Sequence, residues 1–336
     1  MTGPAVSVVI VHLGSTALLR DCLATLHATT HGVRFETVVV DNVSGAQDLE
    51  AVLAPYPDAR LVRLAERRGY AGAANAGIAE SRGRYVLWCN NDLLFQEGAV
   101  ETLAHFLDVE PTYGVASPRL LNPDGTFQPC FSLLDLAPTP LVLERMGAGR
   151  LLPGLDLHRH WRGHERAPRD VAVAAGACCL IRRSALDAIG GLDAAFFLYA
   201  EEFDLCRRVR DAGWRVRYLP DAVVVHVGSQ TTVRAPDAVT YRFVVQAWRS
   251  HFAYLRKHHG AAAEGTFAAV FAATAVPRWL AARVRGGVAA LRGDADGARL
   301  ARERARLHAY SLRMALGAER HEAARLVTYP PVHPKA

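Results

Sequence analysis

Hydrophobic and polar positions alternate along the first 120 residues in two periods. Residues 5–11 (AVSVVIV) form an unbroken apolar run rich in β-branched side chains, as expected of a strand buried on both faces, and Ser15 offers an N-cap to the amphipathic stretch TALLRDCLATLHA. Strand followed by helix recurs at 36–40 and 46–53, at 61–64 and 70–81, and at 85–89 and 97–107. Buried strands alternating with helices predict an α/β fold with a mostly parallel central sheet, flanking helices and right-handed crossovers. From about 118 to 169 the periodicity fades and Pro, Gly, Arg and His accumulate, which predicts an irregular insertion with short helices. Regular pattern returns as a strand at 171–181, helices at 184–189 and 201–212, and strands at 214–219 and 222–226. Helical segments follow at about 238–258, 264–285 and 295–316. The chain thus divides into an α/β body over 1–233 and a C-terminal helical extension over 234–336.

Ligands of open parallel sheets bind beyond the carboxyl ends of the strands, and those positions are polar here. The second strand ends in Asp41-Asn42 and the fourth in Asn90-Asn91-Asp92. Two such carboxylates can face one crevice; they also serve as loop and helix caps, and the sequence leaves both roles open. His226 ends the strand at 222–226. One carboxylate and one imidazole, completed by diphosphate oxygens and water, suit Mg2+ or Mn2+. Acidic residues cluster at Glu201, Glu202 and Asp204, at the start of a helix preceded by the aromatic run FFLY. Glu201 and Glu202 are adjacent and cannot share a helix face, so one is expected in the cleft and the other in structural contacts. A carboxylate beside an aromatic wall has the setting in which a general base gains basicity. Gly69, Gly72, Asn75 and Gly77 open another helix, where small residues admit an anionic ligand and Arg67 or Arg68 adds charge. Neither a G-x-G-x-x-G dinucleotide fingerprint nor a G-x-x-x-x-G-K-[ST] phosphate loop is present.

Composition is that of a globular protein: 51% hydrophobic, 21% charged, formal net charge +6. The charge is unevenly spread. Residues 234–336 hold 17 basic and 7 acidic side chains, leaving the body slightly acidic. Solvated helix faces account for such an excess, and no nucleic-acid recognition motif accompanies it, so no nucleic acid is expected as a partner. Trp248, Phe252, Tyr254, Phe267, Phe271, Trp279 and Leu280, interleaved with arginines and Lys257, outline an interfacial surface for an anionic membrane. The six cysteines show no CxxC pair and read as buried thiols of a reducing compartment. The apolar N-terminal run is strand-length without a basic lead, and the stretch 265–276 falls short of a bilayer crossing. A cytoplasmic protein is expected, with the inner face of the cell membrane as a second placement.

Taken in order, SVVIVHLGSTALLRDCLATL, VVVDNVSG, RRGYAGAANAGI, GRYVLWCNNDLLF and the long GACCLIRRSALDAIGGLDAAFFLYAEEFDLCRRVRDAGWRVRYLPDAVVVHVGS resemble the family 2 glycosyltransferases of the GT-A fold. Within that family they are similar to the bacterial rhamnosyltransferase-like branch; with QAWRSHFAYLRKHHG the likeness extends over about residues 5–260. The resemblance implies a Rossmann-like GT-A domain that binds a nucleotide-sugar donor. It implies that Asp41 holds the base and ribose, that Asp92 and His226 hold the metal, and that Gly69, Asn75 and Gly77, with Arg67, Asn91 and Gly176, line the donor site. Glu202, beside Glu201, stands where the family's catalytic base sits. Three positions depart from the pattern: Glu202 replaces the usual Asp, Asn90 stands where many relatives carry an acid, and His12 replaces a polar pair near the base.

The implied reaction is inverting transfer of a sugar, L-rhamnose from dTDP-rhamnose being one of the family's donors, to a hydroxyl of a cell-surface glycan or polyprenyl-diphosphate-linked acceptor. Two other readings compete. A sugar nucleotidyltransferase needs a Gly-rich basic loop after the first strand, which His12-Leu13-Gly14-Ser15 does not supply. An inactive nucleotide-sugar-binding scaffold is prompted by Glu202 and Asn90.

Overall fold

A computed structural model of the chain describes residues 3–46, 48–148, 151, 162–228 and 238–317. These form two compact units: one takes the described residues up to 135 and 162–228, the other 136–148, 151 and 238–317. In chain order the first unit opens with β1 (Val6–His12), α1 (Thr16–Thr29), β2 (Phe35–Asp41), α2 (Leu49–Leu53), β3 (Ala59–Arg63), α3 (Gly69–Glu80) and β4 (Tyr85–Asn90). It continues through β5 (Leu93–Phe95), α4 (Ala99–Val109), β6 (Tyr113–Leu121), β7 (Phe127–Gln128) and β8 (Phe131–Ser132). After α5 (Pro138–Met146), which belongs to the second unit, come β9 (Arg169–Asp170), β10 (Val173–Ala174), β11 (Cys178–Arg182), α6 (Arg183–Ile189), α7 (Glu201–Asp211) and β12 (Arg215–His226). The second unit is completed by α8 (Ala238–Leu291) and α9 (Ala295–Ala315).

The main sheet runs β3-β2-β1-β4-β11-β6-β12-β5. Its first four strands are parallel, as their apolar runs predict, and β1 is buried along its whole length. Register places His12 beside Asp41 and Val11 beside Asn90, so the polar strand ends form one row. β11 then pairs antiparallel to β4 and β6, and β5 antiparallel to β12, bringing His226 opposite Leu93. The chain order reverses at β1, where neighbouring crossovers leave a crevice at the carboxyl ends. Ser15 caps α1 as expected, its Oγ accepting from Leu18 N–H at 3.5 Å.

Several expected boundaries move. The strand expected at 171–181 is two, β10 and β11, while 214–219 and 222–226 are a single β12 whose register slips between Leu219 and Val223, around Pro220. The six cysteines are buried free thiols.

At the opposite, amino-terminal edge of the sheet the charges of Glu36, Arg60 and Arg183 are matched. Glu36 accepts from Ser7 Oγ at 2.6 Å, Arg82 N–H at 2.6 Å and Arg60 Nη2 at 2.7 Å. Arg183 donates to Gly83 O, Ile78 O and Ser81 Oγ, closing the carbonyl end of α3.

The second unit has its own interior. Phe252 and Phe271 are fully buried, Phe267 nearly so, and their rings pack with centroids 5.1–5.5 Å apart. Arg145 of α5 lies over the Phe271 ring at 3.8 Å and donates through Nε to Thr274 Oγ1; burial, reinforced by the charge of Arg278, lowers it to about 10. This corrects the expected interfacial surface: Phe252, Tyr254, Phe267 and Phe271 are core residues, and of that set only Trp279 and Leu280 are exposed. A second correction concerns α8, which over Phe243–Leu291 is long and apolar enough to cross a membrane, although Gly260 (φ 82°) breaks its helical backbone.

Candidate active site

The crevice is built where β1, β2, β4 and β12 end. Asp41 closes β2, nearly buried, with Oδ1 accepting from Ser44 N–H at 2.8 Å and Oδ2 facing Arg63 Nη1 at 3.0 Å. Next to it Asn42 ties two loops together, its amide donating to Gly69 O and its Oδ1 accepting from Arg68 N–H. Val43 follows in the left-handed region (φ 55°), a strained conformation for a β-branched residue, and Arg67 donates to its carbonyl.

His12 is fully buried, and burial lowers its pKa despite the opposing charge of Asp41. Asn91 Nδ2 donates to its Nδ1 at 3.0 Å, which puts the ring hydrogen on Nε2. That Nε2–H has no hydrogen-bond partner among the described residues.

At the end of β4 a chain of polar contacts crosses the sheet. The Tyr70 hydroxyl lies 2.5 Å from Asn90 Oδ1 and 2.9 Å from Gly176 O. Asn90 Nδ2 lies 3.2 Å from His226 Nε2, and His226 Nδ1 donates to Gln128 Oε1 at 3.0 Å. In the neutral ring the Gln128 contact places the hydrogen on Nδ1 and the electron pair on Nε2. Asp92 Oδ1 stands 3.2 Å from that same nitrogen and is buried without a hydrogen-bond partner of its own. Two electron-rich atoms so placed are the setting a cation stabilises. Asn90, a neutral donor at 3.2 Å from Nε2, is a weak competitor for the electron pair. Among the described residues no group of three or more His, Cys, Asp and Glu side chains surrounds this point. Two protein ligands suit an ion that takes its remaining oxygens from a diphosphate and water, so the residues fit Mg2+ or Mn2+.

The acidic pair enters on a strained elbow. Tyr199 (φ 68°) and Ala200 (φ 64°) are consecutive left-handed residues, and α7 starts at Glu201. Glu201 is buried, and desolvation, with the neighbouring Glu202 charge, raises its carboxyl well above the ordinary range. Desolvation also pushes Glu202 up to about 7. Gly176 explains how Glu202 fits: a Cβ there would stand 3.0 Å from Trp88 Cη2 and 3.4 Å from Glu202 Cβ. The Glu202 Cβ thus packs beside Gly176, whose carbonyl receives the Tyr70 hydroxyl at one end of the Asn90–His226–Asp92 chain. Asp204 is structural, paired with Arg208 at 2.7 Å, and Arg208 holds the carbonyls of Ile189 and Gly191.

The remaining glycine-rich positions act from behind the crevice. Gly69 has φ +69° and lies against Phe197, whose carbonyl accepts from Tyr70 N–H at 2.7 Å. Asn75 uses both ends of its carboxamide on the backbone of Leu192. Gly77 seats α3 on the sheet, since a Cβ would stand 2.5 Å from Val9 Cγ1. Tyr70, Gln128 and Gly228 were not legible as site residues. Tyr70 follows Gly69 in the small-residue stretch, and Gly228 lies two past His226, where any Cβ would collide with the Asp92 carboxylate.

Comparison with known proteins bears on the family and the fold. The family described as glycosyl transferase family 2 matches residues 7–190, and glycosyl transferase family group 2 matches 158–283. The chain is 30% identical over 217 residues to an N-acetylglucosaminyl-diphospho-decaprenol L-rhamnosyltransferase of Mycobacterium tuberculosis, covering 59% of this chain and 68% of that one. It is also 30% identical over 208 residues to a low-salt glycan biosynthesis hexosyltransferase of Haloferax volcanii, covering 61% of each. Among solved structures, a mannosyltransferase from Pyrobaculum calidifontis in complex with GDP-Man and Mn2+ superposes with a TM-score of 0.54 at 19% identity, over 94% of this chain and 88% of that one.

Proposed function

The chain belongs to glycosyl transferase family 2, in its rhamnosyltransferase-like branch and on a GT-A fold, and from that premise we propose an inverting transfer of a hexose from a nucleoside-diphosphate donor to an acceptor hydroxyl. The observation that carries this reading is Glu202, raised to about 7 and packed beside Gly176, whose carbonyl meets the Tyr70 hydroxyl that also bonds Asn90 next to the Asp92–His226 pair. A carboxyl poised there is half ionised near neutral pH, which suits it to accept the proton of an attacking hydroxyl. Burial and the neighbouring Glu202 charge both push Glu201 toward its neutral form, which leaves the role of base to Glu202.

Asp92 and His226 would hold Mg2+ or Mn2+, which when bound neutralises charge developing on the departing diphosphate. The chain's own residues orient the rest. Asp41 and the His12 Nε2–H offer polar partners to the nucleoside, and Asn42 holds the loops beside them. The Tyr70 phenol, kept protonated by burial, holds Asn90 and the Gly176 turn in place. Attack by the acceptor on the face opposite the leaving group inverts the anomeric carbon. The acceptor class, a glycan or polyprenyl-diphosphate-linked sugar, and a rhamnosyl donor follow the mycobacterial relative and are part of the proposal.

Release of nucleoside diphosphate across a panel of nucleotide sugars, with Mg2+ and Mn2+ varied, tests the reading. Turnover is expected to rise about tenfold per pH unit below about 7 and then level off. Glu202→Gln should lower turnover by about 10²–10⁴ with donor binding retained. Unchanged turnover removes Glu202 as the base, and donor binding by the unaltered protein without turnover favours the inactive scaffold.

A further inference from the structure

Beyond Pro277 the second unit presents a feature that the transferase chemistry does not use. The inner face of this part of α8 packs on α9 through small residues: Ala282 is 4% exposed, and a Cβ on Gly286 would stand 3.3 Å from Ala301 Cβ. The outer face is apolar and open. Val276, Leu280, Val284, Val288 and Leu291 are 40–90% exposed and step along the helix by four, four, four and three residues, which aligns them in one stripe. A contiguous exposed stripe of large aliphatic side chains is uncommon on a protein surface that meets only water.

Charge identifies what covers it. From 265 to 293 there is no acidic residue, while Arg278, Arg283, Arg285 and Arg292 are all present. By helical spacing Arg283 borders one side of the stripe and Arg285 and Arg292 the other. On the Arg283 side a cleft of about 510 Å³ between α8 and α9 adds Arg302 and Arg306 beside Trp279. Apolar side chains between rows of arginine, with an aromatic ring at the rim, match the boundary between acyl chains and anionic headgroups.

We infer that the exposed face of α8 over residues 276–291 docks on an anionic lipid bilayer, with the helix lying in the interface. Although α8 is long and apolar enough to cross by length and composition, crossing is disfavoured because Gly260 breaks the helix and the wholly uncharged run after it spans only 265–277. Phe267 and Phe271 within that run are also used in the unit's own core. This docking is independent of which sugar is transferred, or whether any is.

Co-sedimentation of the full chain with phosphatidylcholine vesicles, with and without about one-third phosphatidylglycerol, tests it. Binding to the anionic vesicles at low salt is expected, weakened on raising the salt. The double substitutions V284D/L291D and R283E/R285E should each reduce it by about tenfold or more while leaving the thermal melt and nucleoside-diphosphate release unchanged. Absence of binding by the unaltered chain at low salt overturns the inference, as does binding by both variants at the original strength. A stripe that instead holds two copies together, seen as a dimer made monomeric by V284D/L291D with no vesicle binding, also overturns it. Resistance of the bound chain to alkaline carbonate would show a crossing helix and would equally overturn it.

Discussion

The two edges of the central sheet are made of similar residue types and use them in opposite ways. At the amino-terminal edge Glu36 receives three donors and Arg183 closes three acceptors, so each charge adds to the fold. At the carboxyl edge Asp92 Oδ1 has no hydrogen bond, Glu201 is buried with Oε2 unmatched, and three non-glycine residues, Val43, Tyr199 and Ala200, lie in the left-handed region. Such groups cost stability and persist where a ligand completes them. A sheet that satisfies one edge can carry the other in a less favourable state.

The contrast can be broken most severely at Asp92. Asp92→Ala should lower turnover by about 10²-fold or more, measured as nucleoside-diphosphate release at saturating metal, with the melting temperature little changed. Loss of fold in that variant would make Asp92 a structural residue and erase the difference between the edges. Glu36→Ala should do the converse. Leaving Ser7, Arg82 N–H and Arg60 without their acceptor costs about 1–3 kcal/mol in a denaturant melt, with turnover per folded molecule unchanged.

A smaller effect sharpens the comparison through pH. Glu202 titrates near 7 when folded, against an ordinary carboxyl value of 4.5, so between these values the folded state keeps a proton that the unfolded chain has released. The stability of the unaltered protein therefore falls as pH rises from about 4.5 to about 7 and stays lower above it. Glu202→Gln removes its share of that slope, leaving the share of Glu201, and should gain ~1–2 kcal/mol at pH ~8 while losing activity. Glu36 has the opposite sign: although burial pushes it up, Ser7, Arg82 and Arg60 hold it below the ordinary range. Its contribution is present above the unfolded carboxyl pKa and fades as pH falls through the folded value, an effect smaller still, visible only in acid melts.

Much of this was legible from residue order. The runs that became β1 to β4 are buried on both faces, so their apolar character survives any tertiary context, and the polar residues that end them fall in the crevice by topology alone. Elements with mixed character were not. β6 carries Ser117, Pro118 and Arg119 inside its run and is a strand because β11 and β12 flank it, and β5 is too short for a period to register. In the second unit the aromatics of α8 alternate with arginine as on an interfacial helix, yet they turn inward because α5 brings Arg145 across Phe271. Tyr70 and Gln128 join the site only through contacts 20 and 98 residues distant in sequence, beyond the reach of any local pattern.

The contact at Gly69 bears on how such enzymes can be recombined. The backbone of α3 at Tyr70 is bonded to Phe197 O, and residue 69 has no room for a side chain against the same residue. The loop that leads into Glu202 and the start of α3 are therefore one mechanical part, although 127 residues of sequence separate Tyr70 from Phe197. A chimera that exchanges the segment around 190–205 with a relative should inherit that relative's placement of the proposed base only if position 69 remains glycine. Breakpoints between the two segments will otherwise separate parts that work as a pair.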